Sequence, residues 1–541
     1  MLNYLKSTLL LFLCPIFAWG LASVKEMSLE EKAGQILLVH FHGETANEDA
    51  KTLVQKIHVG GFIYYNWANG LNSPQQVQTL SQGLQELAQK SRLSIPLLIA
   101  IDQEGGLVAR LTQGFTIFPG NKALGMAGNP GLAENAAYAM SQEMQAAGGN
   151  LSLSLIGDIN INQRNPVIGI RAFSDKPDEV VTFARSALQG YQRAKMRSCL
   201  KHYPGHGDVE VDSHADLPFV RKSKEELDKV ELLPFAQLAP QVDAIMTAHI
   251  VVPALDPDHC STLSKKSLDY LRNELGFQGV IIADSVVMEG VLKESGSVDE
   301  AVIQALNAGC DFISLGGKQL LAGQTGLELT VTDVQRIHGK IVDAVKSGRV
   351  SEERLNQAVQ RVLVLKDRYP IVNPKPTDIQ NTVRIASHEA LAREIASLAL
   401  RTVKNNPAAV ASLEQKKVLL IAPQILKASI DSTTLLRMGK ENDALFFNGL
   451  TPSAQDVELA KEKTKAADVV LVCSYNAWKN PGQEMLIQSL IETGKPVVLM
   501  VARDPLDETL FPKAAVILTT FSPTAPSIQA ACEQLQGIAA R

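Results

Sequence analysis

Between residues 36 and 315 the chain repeats one pattern eight times: a short apolar run, then a more polar stretch that often has helical periodicity. The runs are ILLVHF (36–41), GFIYY (61–65), PLLIAI (96–101), a weaker NLSLSLI (150–156), SCL (198–200), AIMTA (244–248), GVIIA (279–283) and DFISL (311–315). Helical segments at 74–90, 176–196, 222–238 and 265–275 separate several of them. Strands that are apolar along their whole length are buried on both faces, which a parallel sheet sheathed by helices provides. Eight such units in about 340 residues fit a closed (β/α)8 TIM barrel better than an open sheet, so the fold class is α/β.

The residues that end these runs locate the chemistry. PLLIAI runs into Asp102, SCL into Lys201 and His202, AIMTA into His249, and GVIIA into Asp284. In a barrel all of these strand ends converge on one mouth, where enzymes of this fold carry their active sites. A single aspartate after a strand could simply cap the next helix. Four strands that each end in an ionisable group point instead to a site.

The barrel is assigned to residues 23–378. Pro, Asn and Thr gather in YPIVNPKPTDIQNTVRI (370–386) and a helix is expected over 387–404, so residues 379–406 read as linker and connecting helix. Residues 407–541 alternate five further strands with helices, which predicts a smaller open α/β sandwich domain. These strands are VLLIA (418–422), ALFFN (444–448), VVLVC (469–473), PVVLMVA (496–502) and AVILTT (515–520). The first is followed by APQILKAS, which lacks the glycines of a phosphate loop.

Composition narrows the classes further. A hydrophobic fraction of 45% with 20% charged residues, over 541 residues, can build full cores and excludes a disordered chain or a polytopic membrane protein. The net charge of −5 offers no basic excess for nucleic acid. The six cysteines (14, 199, 260, 310, 473 and 532) contain no CxxC pair, which excludes a zinc ribbon and a disulfide scaffold. Near the N-terminus Lys6 precedes an uncharged, mostly apolar stretch (7–24), with small residues flanking Trp19 and Leu21. That is the pattern of a secretory signal peptide over residues 1–22, with an uncleaved membrane anchor as the alternative. The expected location is the periplasm or the cell exterior.

The stretch richest in chemistry is KHYPGHGDVEVDSHADLP (201–218), which holds His202, His206 and His214 beside Asp208, Asp212 and Asp216. Pro204, Gly205 and Gly207 make it a loop. A zinc site is one reading, but HxxxH ligand spacing belongs on a helix, which Pro204 and the glycines prevent. His206 reads as a polar loop residue that satisfies backbone groups. The other chemical reading is acid–base work by Asp212 and His214. One residue apart, the carboxylate can turn back onto the imidazole, fix its tautomer and raise its basicity. An imidazole titrating from near 6.5 can then both give and take a proton around neutrality.

This loop, together with ADSVVMEG (283–290), resembles the β-N-acetylhexosaminidases of glycoside hydrolase family 3. The resemblance continues in family order through MSLEEKAGQ (27–35), DQEGGLVARL (102–111), FPG (118–120), NPVIGIRAFSDKP (165–177), TAHI (247–250) and STLSKKSLDYLRNELGFQGVIIADS (261–285). It covers nearly all of the barrel and, more weakly, the second domain. It implies an exo-acting, retaining enzyme that removes terminal β-linked N-acetylglucosamine from peptidoglycan fragments or chitooligosaccharides. No metal, cofactor, nucleic acid or protein partner is implied.

By the same resemblance Asp284 is the nucleophile, His214 the acid and then the base, and Asp212 its orienting partner. Asp102, Arg110, Arg171, Lys201 and His202 match positions that bind the terminal sugar, and their side chains can accept from or donate to hydroxyls. His249 stays open between lining the site and being a satisfied core histidine. The sequence departs from the family pattern at Ser285–Val286–Val287 after the nucleophile and at Ala172–Phe173–Ser174 after Arg171. A phosphorylase on the same scaffold is the enzymatic rival, since a neutral imidazole would not repel an incoming phosphate. A non-catalytic glycan-binding or scaffold protein is the rival from another class.

Overall fold

The computed structural model describes residues 23–321 and 324–540, so the signal peptide read over 1–22 lies outside the described residues. Eight strands form the barrel: β1 (Leu37–Val39), β2 (Gly61–Ile63), β3 (Leu98–Ile101), β4 (Leu151–Ile156), β5 (Arg197–Tyr203), β6 (Ala244–Thr247), β7 (Val280–Ala283) and β8 (Phe312–Ser314). They run parallel in sequence order, and β8 closes on β1 through Leu37–Ile313 and Leu38–Ser314. Every residue of the eight strands is buried.

Alternation along the strands divides their side chains between two cores, as the pleat requires. Leu38, Ile63, Leu98, Ala100, Cys199, Met246, Ile282 and Phe312 belong to an inner cluster. Leu37, Val39, Ile99, Ile101, Ile245, Ile281 and Ile313 pack outward against the helices. The helix Glu352–Asp367 brings Val362 and Leu365 to the inner cluster and so plugs one end. The buried Arg197 guanidinium fastens that plug by donating to the carbonyls of Leu365 and Lys366, both at 2.7 Å. The opposite end, beyond the C-termini of the strands, remains as the mouth.

Three local expectations change. The SCL run extends to Arg197–Tyr203, so Lys201 and His202 stand on the strand itself. The helix expected over 222–238 is two short helices, Lys224–Lys229 and Leu233–Leu238, the second started by Pro234. The connecting helix is Ala386–Ala399, and Arg401–Lys404, expected to be helical, forms a strand instead. That helix is bound to the barrel: Ala392, Ile395 and Ala399 share the outer core, and the His388 ring meets Glu143 at 2.7 Å.

The strand Arg401–Lys404 (β9) adds an antiparallel edge to a six-stranded sheet of otherwise parallel strands. The others are β10 (Lys417–Pro423), β11 (Glu441–Phe447), β12 (Val469–Ser474), β13 (Val497–Val501) and β14 (Val516–Thr519), in the order β9-β14-β13-β12-β10-β11. Separate buried clusters cover its two faces. The second domain leans on the barrel at two places near the mouth. Leu107, from the turn after β3, packs on its core. Asp504 abuts the short turn Gly169–Arg171, where Gly169 has φ 45° and a Cβ would lie 2.9 Å from an Asp504 carboxylate oxygen.

All five described cysteines are buried and free, and burial raises each thiol above its ordinary range.

Candidate active site

Asp284 is the first residue beyond β7. Its Oδ1 accepts the Ser285 N–H at 2.7 Å, and its own N–H donates to Thr247 Oγ1 at the end of β6, at 3.4 Å. Burial pushes this carboxyl up, but the imidazoles of His249, His202 and His214 and the Ser285 amide outweigh it and hold the group below the usual carboxylate range. The strand end therefore presents an anionic oxygen to the mouth.

The imidazole of His214 meets Asp212 Oδ1 through Nδ1 at 2.7 Å, and the same oxygen accepts the His214 backbone N–H at 2.9 Å. Against a carboxylate Nδ1 carries the proton, so Nε2 is the nitrogen left for exchange with a ligand. Burial lowers the affinity of this ring for a proton. The hydrogen bond to Asp212, its charge and that of Asp284 reverse the balance and raise it above the ordinary histidine value. The two side chains remain 34% and 37% exposed, enough to be reached from solvent.

The loop is pinned from both sides. Ser213 accepts the Gly290 N–H at 3.1 Å through its carbonyl and meets His206 Nε2 at 2.9 Å through its hydroxyl. The His206 backbone N–H donates to Asp158 Oδ1 at 2.7 Å. Desolvation pushes the His206 ring down to about 4, so it stays neutral.

The sugar-binding candidates form one charged cradle across β3, β5 and the 169–171 turn. Lys201 Nζ lies 2.7 Å from Asp102 Oδ1 and 2.9 Å from Glu104 Oε1. Arg171 grips Glu104 with two parallel hydrogen bonds of 2.8 and 2.9 Å. Arg110 stands 3.8 Å from the other oxygen of Asp102. His202 Nδ1 bonds the fully buried Asp158 at 2.7 Å.

Sequence reasoning missed both Glu104 and Asp158. Burial would raise Glu104, yet Arg171 and Lys201 bring it down to about 2. Asp158 sits two residues beyond β4, the same strand-end signal that marked Asp102 and Asp284, and Glu104 lies two residues past Asp102.

Thus Asp102, Arg110, Arg171, Lys201, His202, Asp212, His214 and Asp284 all belong to connected networks at the mouth. His249 is a satisfied buried histidine: Nε2–H donates to the Ser285 carbonyl at 3.0 Å and Nδ1 meets the Thr262 hydroxyl at 2.9 Å. It holds the backbone next to Asp284 from behind. The one metal-ligand cluster among the described residues is not in the 201–218 loop but at His40, His42 and Glu328.

An anionic carboxylate at a strand end, an imidazole with one nitrogen free for proton exchange and a cradle of charges able to bond hydroxyls share one mouth, an arrangement suited to cleaving glycosidic bonds. The family model described as the glycosyl hydrolase family 3 N terminal domain matches residues 28–365, and the chain belongs to that family; it is a glycoside hydrolase.

Within the family it is similar to Beta-hexosaminidase A of Pseudoalteromonas piscicida, 31% identical over 446 residues, 79% of this chain and 73% of that protein. A Beta-hexosaminidase of Pseudomonas aeruginosa (strain LESB58) is 37% identical over 281 residues, 51% of this chain and 80% of that protein. The solved structure of a glycoside hydrolase family 3 beta-N-acetylglucosaminidase from Paenibacillus sp. str. FPU-7 aligns with a TM-score of 0.84 at 32% identity, over 95% of this chain and 97% of that one.

Proposed function

We propose that this enzyme is an exo-acting, retaining β-N-acetylhexosaminidase that releases terminal β-linked N-acetylglucosamine from peptidoglycan fragments or chitooligosaccharides. The observation that carries this reading is the Asp212–His214 hydrogen bond of 2.7 Å in the same mouth as the anionic Asp284. The names of the similar proteins support the amino-sugar specificity.

An oxygen of Asp284 attacks the anomeric carbon while the bond from that carbon to the leaving oxygen breaks. His214 Nε2–H delivers its proton to the leaving oxygen, giving a glycosyl-enzyme. The neutral ring then takes a proton from water, whose oxygen attacks the same carbon and frees Asp284. Asp212 keeps Nδ1 protonated throughout. Asp102, Lys201, Arg171, Arg110 and His202 hold the sugar hydroxyls. We place this activity on the exported side of the membrane, following the signal read at residues 1–22.

The test is turnover of an aryl β-N-acetylglucosaminide, with and without phosphate, beside Asp284→Ala and His214→Ala. Free N-acetylglucosamine, lost in Asp284→Ala, is the expected product. N-acetylglucosamine 1-phosphate would replace hydrolysis with phosphorolysis, and turnover unchanged in Asp284→Ala would refute the assignment of the nucleophile.

A further inference from the structure

We propose that His40, His42 and Glu328 form a binding site for one divalent cation of the zinc class, at the rim of the mouth and separate from the acid–base loop. The geometry begins with Phe41. It is buried in the outer core, with its ring 5.3 Å from Phe62. Side chains one residue either side of it in an extended chain turn the opposite way together. His40 and His42 do so, and both reach Glu328, which ends the two-stranded ribbon that follows β8.

His40 is only 4% exposed, yet its Nε2 has no hydrogen-bond partner. A buried polar atom left in this state calls for an explanation. Glu328 Oε1 stands 3.5 Å away, at the outer limit for a hydrogen bond. That spacing is close to the ~3.3 Å that separates two ligands on a tetrahedral zinc with bonds of about 2.05 Å. His42 Nε2 makes a direct hydrogen bond to the same carboxylate oxygen, a bond that the ion would replace, and ligand atoms of all three residues lie within 4.8 Å of one another.

Two imidazoles and one carboxylate are a zinc donor set that leaves a fourth position for water. Neighbours orient the ligands: Lys318 Nζ fixes the other carboxylate oxygen at 2.9 Å, and the Trp67 ring stands 5.0 Å from His40 and 5.6 Å from His42. Because β1 and β8 are the strands that close the barrel, an ion here would clasp the closing seam and fix the ribbon beside the mouth.

The experiment titrates chelator-stripped, untagged protein with Zn²⁺ by calorimetry. Co²⁺ serves as a visible-absorption probe of tetrahedral coordination and Trp fluorescence as a reporter of the Trp67 wall. One ion per chain is expected, with affinity at least tenfold weaker in Glu328→Gln and in His42→Ala. His42 is 58% exposed, so its removal leaves the fold intact. The proposal is overturned by the absence of stoichiometric binding, by affinity in both variants equal to that of the unaltered protein, or by binding that is lost in His214→Ala instead.

Discussion

Gly290 donates its backbone N–H to the carbonyl of Ser213 across 3.1 Å, joining the helix Glu289–Ser295 that follows Asp284 to the loop that carries His214. The approach is so close that a Cβ at position 290 would stand 2.8 Å from the carbonyl oxygens of both Ser213 and Asp216. Gly290→Ala must therefore push the loop away from Asp284. A displacement of about 1 Å is enough to lower kcat/KM roughly 100-fold. Gly290 and Ser213 are both buried, so the same overpacking should also cost about 1–3 kcal/mol of stability; steady-state kinetics beside thermal unfolding separates the two effects.

Asp212→Asn tests the proton donor. Asp212 lifts the imidazole of His214 above its ordinary value, so on the proposed mechanism the protonated form persists to higher pH and activity is expected to fall as pH rises through that raised value. With a neutral amide in its place, the alkaline limb of the kcat/KM profile is expected to move to lower pH. The maximum should drop by about 10²- to 10⁴-fold. A limb that stays in place would show that another group donates the proton.

Glu104→Gln should damage stability as well as binding. The carboxylate is 2% exposed and is the shared partner of Arg171 and Lys201. Removing its charge leaves two buried cations to share Asp102, a change that costs about 3–5 kcal/mol when a buried ion pair is broken. Urea unfolding reads this directly, and KM for the aryl glycoside should rise as the cradle loosens.

Acid should unfold the protein in two overlapping stages. His206, near 6.5 when unfolded, resists protonation in the fold down to about 4, so the unfolded state binds more protons in between and stability is lost as pH falls from 6.5 toward 4. Glu104 adds a second loss as pH falls from about 4.5 toward 2. Melting temperatures measured from pH 7 to 3 should decline across both windows; a flat profile between 6.5 and 4 would contradict a neutral buried His206.

The barrel was legible because its strands are buried on both faces, so runs such as PLLIAI and GVIIA carry no polar interruption and end at the chemical residues. The strand Arg401–Lys404 was not legible, for the opposite reason. Its residues alternate between exposed and half-buried at a sheet edge, and they continue directly from a helix without a breaker. The loop spacing DSH made the Asp212–His214 contact readable, since residues two apart can meet whatever the rest of the chain does. The roles of Glu104 and Asp158 depend on Arg171, Lys201 and His202, which come from other strands and turns, and no local spacing encodes those meetings. His249 was ambiguous for the same reason. Only the folded position of the Ser285 carbonyl decides what its Nε2 does.

The buried, proton-holding thiols have a practical consequence. A thiol reacts as its thiolate, and Cys199, Cys260, Cys310, Cys473 and Cys532 are both shielded from solvent and disfavoured in that form. A single cysteine engineered onto the exposed part of the 201–218 loop would then be far more reactive than any of these five. A dye attached there could follow the loop through turnover without first replacing these five, so the molecule that is watched would keep the core of the molecule that works.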